Sequence, residues 1–210
     1  MASSAIHMAV ANEINKITKR DNYKTLIGAI APDIAKEVGE SKVKSHFLDR
    51  EDTDLPNMDR FIEKYGNKMN DDFVLGYFIH LYTDYLWFKY FLPEVYNEDN
   101  KMISTIDGSI VKCDGKLLQK YIYNDYTNLN SSLFSEYNMN LDAFYNVPKL
   151  ENIIEEIPME KIRLITDKVI YIVENSKKNK DYVFDIKNIR KFISTCTELT
   201  LAKMKEYNII

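Results

Sequence analysis

The chain has 210 residues, of which 45% are hydrophobic and 29% charged, and it carries a formal net charge of −4 at pH 7. That is enough for one good-sized core, demands no second domain, and is too apolar for a disordered chain. The mild negative charge leaves no basic footprint for duplex nucleic acid, yet a small phosphate ester or phospholipid stays open as a substrate, because a metal ion can supply positive charge locally.

Taken in chain order, Ser3 or Ser4 can cap a first helix over about 5–17, where Ile6, Val10 and Ile14 recur at helical spacing. In "LIGAIAPDIAKEVG", Gly28 and Pro32 break regularity, and Asp33 sits where a short helix can begin. "KVKSHF" follows, then the acidic stretch "LDREDTDLPN", read as a solvated loop that could screen a site entrance. Pro56 can open a helix running to Tyr65, with Asp54 as its cap. The run "FVLGYFIHLYTDYLWFKYF" at 73–91 is long and apolar enough to raise the question of a membrane span. His80, Asp84 and Lys89 within it, and Asp71 and Asp72 before it, argue instead for a buried central helix that ends at Pro93. Alternating apolar residues and two Asp-Gly pairs in "MISTIDGSIVKCDGKLLQ" allow one small β-hairpin near 103–113. Three amphipathic segments, within 117–137, 159–179 and 186–207, read as helices, with "KKNKD" as a turn. The expectation is an all-α, single-domain, multi-helix bundle over 1–210 with that one hairpin.

The two cysteines, Cys113 and Cys196, form neither a disulfide framework nor a Cys-x-x-Cys pair. Together with an N-terminal stretch that lacks a basic leader and an uninterrupted apolar core, this fits a reducing, cytoplasmic setting.

The central run poses the functional question. Gly76, His80 and Asp84 stand four residues apart and share one face of the helix. Gly76 lets another backbone approach that face, and an unpaired buried carboxylate costs several kcal/mol, so Asp84 needs a strong partner. A shared proton, a basic side chain or a metal ion would each serve. Taken singly, every polar residue here has an ordinary structural role open to it, such as a helix cap for Asp33 or a carbonyl contact for His46. The chain, however, has only three histidines, His7, His46 and His80, and all lie in apolar surroundings, which is how ligands are used.

The ordered series His7 in "AIHMAVA", Asp33 in "GAIAPDI", His46 in "KSHF" and His80 with Asp84 in "GYFIHLYTDYLW" resembles the bacterial zinc-dependent phospholipase C family, which is related to single-strand-specific zinc nucleases. The resemblance covers about the first half of the chain and implies a phospholipase C/nuclease-like helical bundle. It also implies a first metal held by Asp33, His46, His80 and Asp84, and a second held by His7 and sharing Asp84. Imidazole and carboxylate ligands without thiolate suit zinc, and also manganese or iron. Two such ions would clamp a phosphate ester, and a hydroxide bridging them would be the nucleophile of a phosphoric-ester hydrolase, with Asp33 and Asp84 as the catalytic carboxylates. Asp33 would orient that hydroxide or take its proton.

The sequence also departs from the family. No histidine follows position 80, so the family's third zinc site is absent or rebuilt from oxygen ligands, for which Asp125, with Asn128 one turn on, is the first residue to consider. Against that stands an ordinary solvent-facing Asp on an amphipathic helix. The family's amino terminus is itself a ligand, and here Met1 lies a short way before His7. Tyr77, Tyr82 and Trp87 could line a pocket or simply pack. Two other readings stay open: a non-catalytic helical binding protein with a buried His/Asp network, and an HD-type phosphohydrolase, whose adjacent His-Asp pair is replaced here by His46-Phe47.

Overall fold

The computed structural model describes residues 1–51 and 53–210; Asp52, within the acidic stretch, lies outside the described residues. Helix α1 (Ser4–Thr18) is capped by the Ser3 hydroxyl, which accepts the Ile6 N–H, and it stops where Lys19 turns left-handed. Helix α2 (Asn22–Gly28) follows, with the Asp21 carboxylate receiving the Tyr23 and Lys24 N–H groups. A 3₁₀ turn at Ala31–Asp33, opened by Pro32, leads into the one-turn helices α3 (Ile34–Glu37) and α4 (Lys42–Ser45). Helix α5 (Met58–Tyr65) begins two residues beyond Pro56, and its cap is Asn57 rather than Asp54. Asn57 has the extended backbone a cap needs, and its side-chain oxygen takes the Arg60 N–H.

The expected central helix is α6 (Asp72–Leu86), capped by Asp71, and nearly every residue in it is buried. It does not end at Pro93. Trp87–Phe91 form a single wide π turn, and α7 (Leu92–Val95) carries Pro93 in its own first turn, where a missing N–H costs no hydrogen bond. No helix among the described residues is long and apolar enough to cross a membrane.

The expected hairpin is part of a slightly larger sheet. Strands β1 (Tyr96–Asn97), β2 (Met102–Ser104) and β3 (Ile110–Lys112) pair antiparallel in that order, with Ile103 opposite both Tyr96 and Val111. The chain is therefore mostly helical with one small β element, consistent with an all-α fold that carries a small hairpin. The sheet is short and only Ile103 on β2 is fully buried. Helix α8 (Gly115–Glu136), the one-turn α9 (Asp142–Tyr145), α10 (Ile162–Glu174) and α11 (Ile186–Glu206) complete the fold. Helix α11 starts at a reciprocal cap, in which Asp185 accepts from the first turn while Asn188 accepts the Asp185 N–H.

One continuous apolar core runs through the described residues, with α6 at its centre packed against α1, α2, α5 and α11. The closest packing is with α2, where Gly28 and Gly76 allow the two backbones to touch. That crossing brings the end of α2 and the turn after it onto the His80 face of α6.

Candidate metal centre

The structure brings the five expected residues into one buried cluster from four separate elements: His7 from α1, Asp33 from the 3₁₀ turn, His46 from the end of α4, and His80 with Asp84 from α6. All three histidines and Asp84 are at most 2% exposed, and Asp33 is 8% exposed. His7 and His80 stack face to face with ring centroids 3.8 Å apart. His46 Nε2 lies 3.3 Å from His80 Nε2, 3.6 Å from Asp33 Oδ1 and 3.8 Å from Asp84 Oδ2. His80 Nε2 lies 3.6 Å from Asp84 Oδ2, and His7 Nε2 lies 3.4 Å from the other oxygen, Asp84 Oδ1.

The hydrogen bonds around the cluster set where its protons are. The Ala29 carbonyl can only accept, so the 2.7 Å contact with His80 Nδ1 puts a proton on that nitrogen and leaves Nε2 with its lone pair. The Ser45 hydroxyl is directed at the Lys42 carbonyl, so it accepts from His46 Nδ1 at 2.9 Å, and His46 Nε2 also keeps its lone pair. Tyr77 donates to the Ser45 carbonyl, stacks on Phe61 and so fixes the segment that carries His46. Two lone-pair nitrogens thus face each other at 3.3 Å, beside carboxylate oxygens Asp33 Oδ1 and Asp84 Oδ2 that have no hydrogen-bond partner among the described residues. Such a set of acceptors repels itself unless a cation or a proton lies among them.

The spacing fits a cation. Four ligands at about 2.0–2.1 Å from a tetrahedral ion stand roughly 3.3–3.4 Å apart. The His46, His80, Asp33 and Asp84 atoms are spaced 3.3–3.8 Å where they face one another. His7 can join through Asp84 Oδ1, the oxygen on the other side of the carboxylate. Because His80 offers only Nε2, the two triads His7–His80–Asp84 and Asp33–His46–His80 cannot both use it, and Asp84 is the residue able to serve two ions. The buried His/Asp groups can hold a metal ion.

Electrostatics point the same way. Burial pushes the Asp84 carboxyl up, but the charge and contact of His7 and the charge of the amino terminus outweigh it, so Asp84 titrates well below the usual carboxylate range. For Asp33 burial is likewise outweighed by His46 and His80. Burial first, then neighbouring His7, pulls His80 down to about 3, which leaves a neutral imidazole able to ligate. The Met1 amino group is pulled down to about 6 by burial, against Asp84. The Ala2 N–H donates to Asp84 Oδ1 at 2.8 Å, and Tyr126 donates to the Met1 carbonyl, which ties the N-terminal residues over the cluster.

Access is through Asp33. It lines a cavity of ≈ 440 Å³ walled by Ala2, Tyr126, Ile165 and Val169, with Lys36 and Lys168 also on its lining. Met1 and Tyr123 separate this cavity from a larger one of ≈ 850 Å³ lined by Lys42, Asp54, Trp87, Tyr96 and Lys101. Asp54, from the acidic stretch, and Trp87 are both on the lining of that second cavity. Tyr82 instead lines a cleft of ≈ 800 Å³ that holds none of the five cluster residues.

Asp125 does not join the centre, and it is not solvent-facing either. It is fully buried and accepts the backbone N–H groups of Tyr182, Val183 and Phe184 at 2.7–3.1 Å. Asn128 holds the same loop through Asp181 and the Asn179 N–H. The pair clamps the segment before α11, a role whose partners lie more than fifty residues away and leave no local pattern. Cys113 and Cys196 are both free and buried. The residues missed from sequence are Ala29 and Ser45, whose carbonyl and hydroxyl set the two tautomers. The histidines predict that such partners exist but not which they are. Comparison with protein-family models, curated proteins and solved structures finds no match to the chain.

Proposed function

We propose that the chain is a metal-dependent phosphoric-ester hydrolase, built on the site plan of the zinc-dependent phospholipase C family that its first half resembles. The observation that carries the reading is the meeting of His46 Nε2, His80 Nε2, Asp33 Oδ1 and Asp84 Oδ2 in one buried place, where neither carboxylate oxygen has a hydrogen-bond partner among the described residues. Zinc suits this thiolate-free set of imidazoles and carboxylates, as do manganese and iron. Bound divalent ions would supply positive charge to a phosphate ester and lower the pKa of water for attack.

The chain's own residues have the remaining tasks. His80 and His46 present fixed lone pairs because Ala29 and Ser45 hold their other nitrogens. Asp84 can reach two ions, one from each oxygen. Asp33 is the cluster residue on the cavity wall, so its carboxylate can orient a water and accept its proton. The Ala2 N–H and the Tyr126 hydroxyl hold the N-terminal residues against the cluster.

A non-catalytic buried network would satisfy its own acceptors, and this cluster leaves His7, Asp33 and Asp84 atoms unpartnered. The test is elemental analysis of the purified protein beside hydrolysis of a panel of phosphate esters with added zinc or manganese. The reading expects one to two equivalents of bound metal and metal-dependent turnover of at least one ester. A protein that takes up no divalent ion at saturating zinc, and shows no change in melting temperature, would overturn it.

A further inference from the structure

Two lysines converge beside the centre on a partner that cannot neutralise them. Lys36 Nζ lies 3.0 Å and Lys42 Nζ 3.3 Å from the Met1 thioether sulfur, a weak and uncharged acceptor. Lys36 stands three residues from Asp33 and lines the inner cavity with it. Lys42 lines the outer cavity, and Met1 stands where the two cavities adjoin. Neither lysine makes an ion pair among the described residues, although the chain has more acidic than basic residues. Lys42 is half-buried, and both burial and the charge of Lys36 pull its ammonium below the ordinary range. Lys36 is exposed, and two ammonium groups held close together at one sulfur, with no anion between them, form a site that gains from taking one.

We propose that Lys36 and Lys42 form an anion subsite beside the metal cluster which binds the terminal phosphate of a phosphate monoester, the phosphate displacing the Met1 thioether. The substrate class follows from charge, and the assignment of a substrate rests on the hydrolase reading above. A diester carries one negative charge, whereas a monoester carries about 1.5 to 2 at neutral pH. Metal ions would already offset a single charge, so two further cations fit the dianion. The outer cavity, with Trp87, Phe88 and Tyr96 on its walls, has room for the esterified group.

The test uses inorganic phosphate as the probe, titrated calorimetrically into the full chain both as purified and after loading with zinc. Wild type should bind phosphate in at least one of these states. Lys42→Ala should weaken that binding roughly tenfold or more, and the Lys36→Ala/Lys42→Ala double variant should weaken it further. Lys42→Arg should keep it within about threefold, and Lys44→Ala on the exposed side of α4 should leave it unchanged. Metal content should be the same in all variants. In the hydrolysis arm, Lys42→Ala should lower kcat/KM for a monoester such as p-nitrophenyl phosphate at least tenfold, and for bis-p-nitrophenyl phosphate less than threefold. A wild type that binds phosphate no better than the double variant, or equal losses on both esters, overturns the proposal. Lysine-dependent phosphate binding in a protein that takes up no metal would leave the anion subsite standing while the hydrolase reading falls.

Discussion

Gly28 and Gly76 meet backbone to backbone where α2 crosses α6: a β-carbon built on Gly76 would stand 2.1 Å from the Thr25 carbonyl oxygen, and one on Gly28 would stand 2.1 Å from the Phe73 carbonyl oxygen and 3.0 Å from Gly76 Cα. The contact matters for the centre, because the Ala29 carbonyl that fixes the His80 tautomer lies one residue past the crossing. Gly76→Ala must therefore separate two backbones, not merely move a side chain. We expect a loss of at least about 1–3 kcal/mol in urea unfolding, the usual cost of overpacking, together with weaker zinc uptake. Gly115→Ala, at a position with nothing within 4 Å, should stay within about 0.5 kcal/mol of wild type.

Asp84→Asn tests the shared ligand. The amide keeps the shape and can still accept the Ala2 N–H, but it loses the charge that two ions would share. Elemental analysis should show loss of at least half the bound metal, and any phosphoesterase rate should fall by two orders of magnitude or more. Asp49→Asn is the control: Asp49 is exposed and pairs with Asn57 and Arg60, away from the cluster. Unchanged stoichiometry and rate in Asp84→Asn would be incompatible with the centre.

Asp84 also shows how much the sequence disclosed. Of the cluster residues, His80 and Asp84 were legible from their spacing with Gly76 on one helix face and the three histidines from their scarcity, whereas Asp33 came only through the family resemblance. The approach of a second backbone at Gly76 was legible from that same spacing. The π turn was not: Pro93 reads as a stop, and only the widened turn before it lets the helical path continue to Val95. The Asp125 clamp was not, because its three N–H donors lie in a loop without periodicity. The strand β1 is two residues long and is defined only by its pairing with β2.

Metal binding should be visible as stability. A ligand at about 100 times its Kd adds about 2.7 kcal/mol, and for a chain of this length each kcal/mol raises Tm by about 2–4 °C. Zinc should thus raise the melting temperature by about 5–10 °C, and a chelator should reverse it. Lack of any shift, with zinc in excess over the protein, would argue that the four acceptors share protons instead.

Asp125→Ala separates the loop clamp from the centre. Removing the carboxylate leaves the Tyr182, Val183 and Phe184 N–H groups without their acceptor, and the latter two of these bonds are buried. Hydrogen bonds to a charged group contribute about 1.5–3 kcal/mol, so we expect a loss of at least that size in chemical denaturation. Bound metal per folded chain should not change. A variant that unfolds no more easily, or that loses metal while folded, would return Asp125 to the list of ligands.

The last expectation concerns acid. His80 titrates near 3 in the folded chain against an ordinary value of 6.5, with burial as the main cause and His7 as the next. Between these values the unfolded chain binds the proton and the folded chain does not. Stability of the metal-free protein must therefore fall as pH drops from about 6.5 toward 3, by up to about 1.4 kcal/mol per pH unit for this one group. The carboxyls of Asp33 and Asp84 are held below their ordinary value of 3.8, so their contribution is present above that value and is lost only below it. The Met1 amino group, pulled down from 8.0 to about 6, also costs stability as pH falls toward 6, so urea midpoints measured from about pH 5.5 to pH 4 follow the imidazole part. His80→Gln, which keeps a polar side chain of similar length, should flatten the curve in that window and also lower metal content. A wild-type midpoint independent of pH over the same window would mean that His80 is not held neutral, and the lone pair assigned to its Nε2 would not exist.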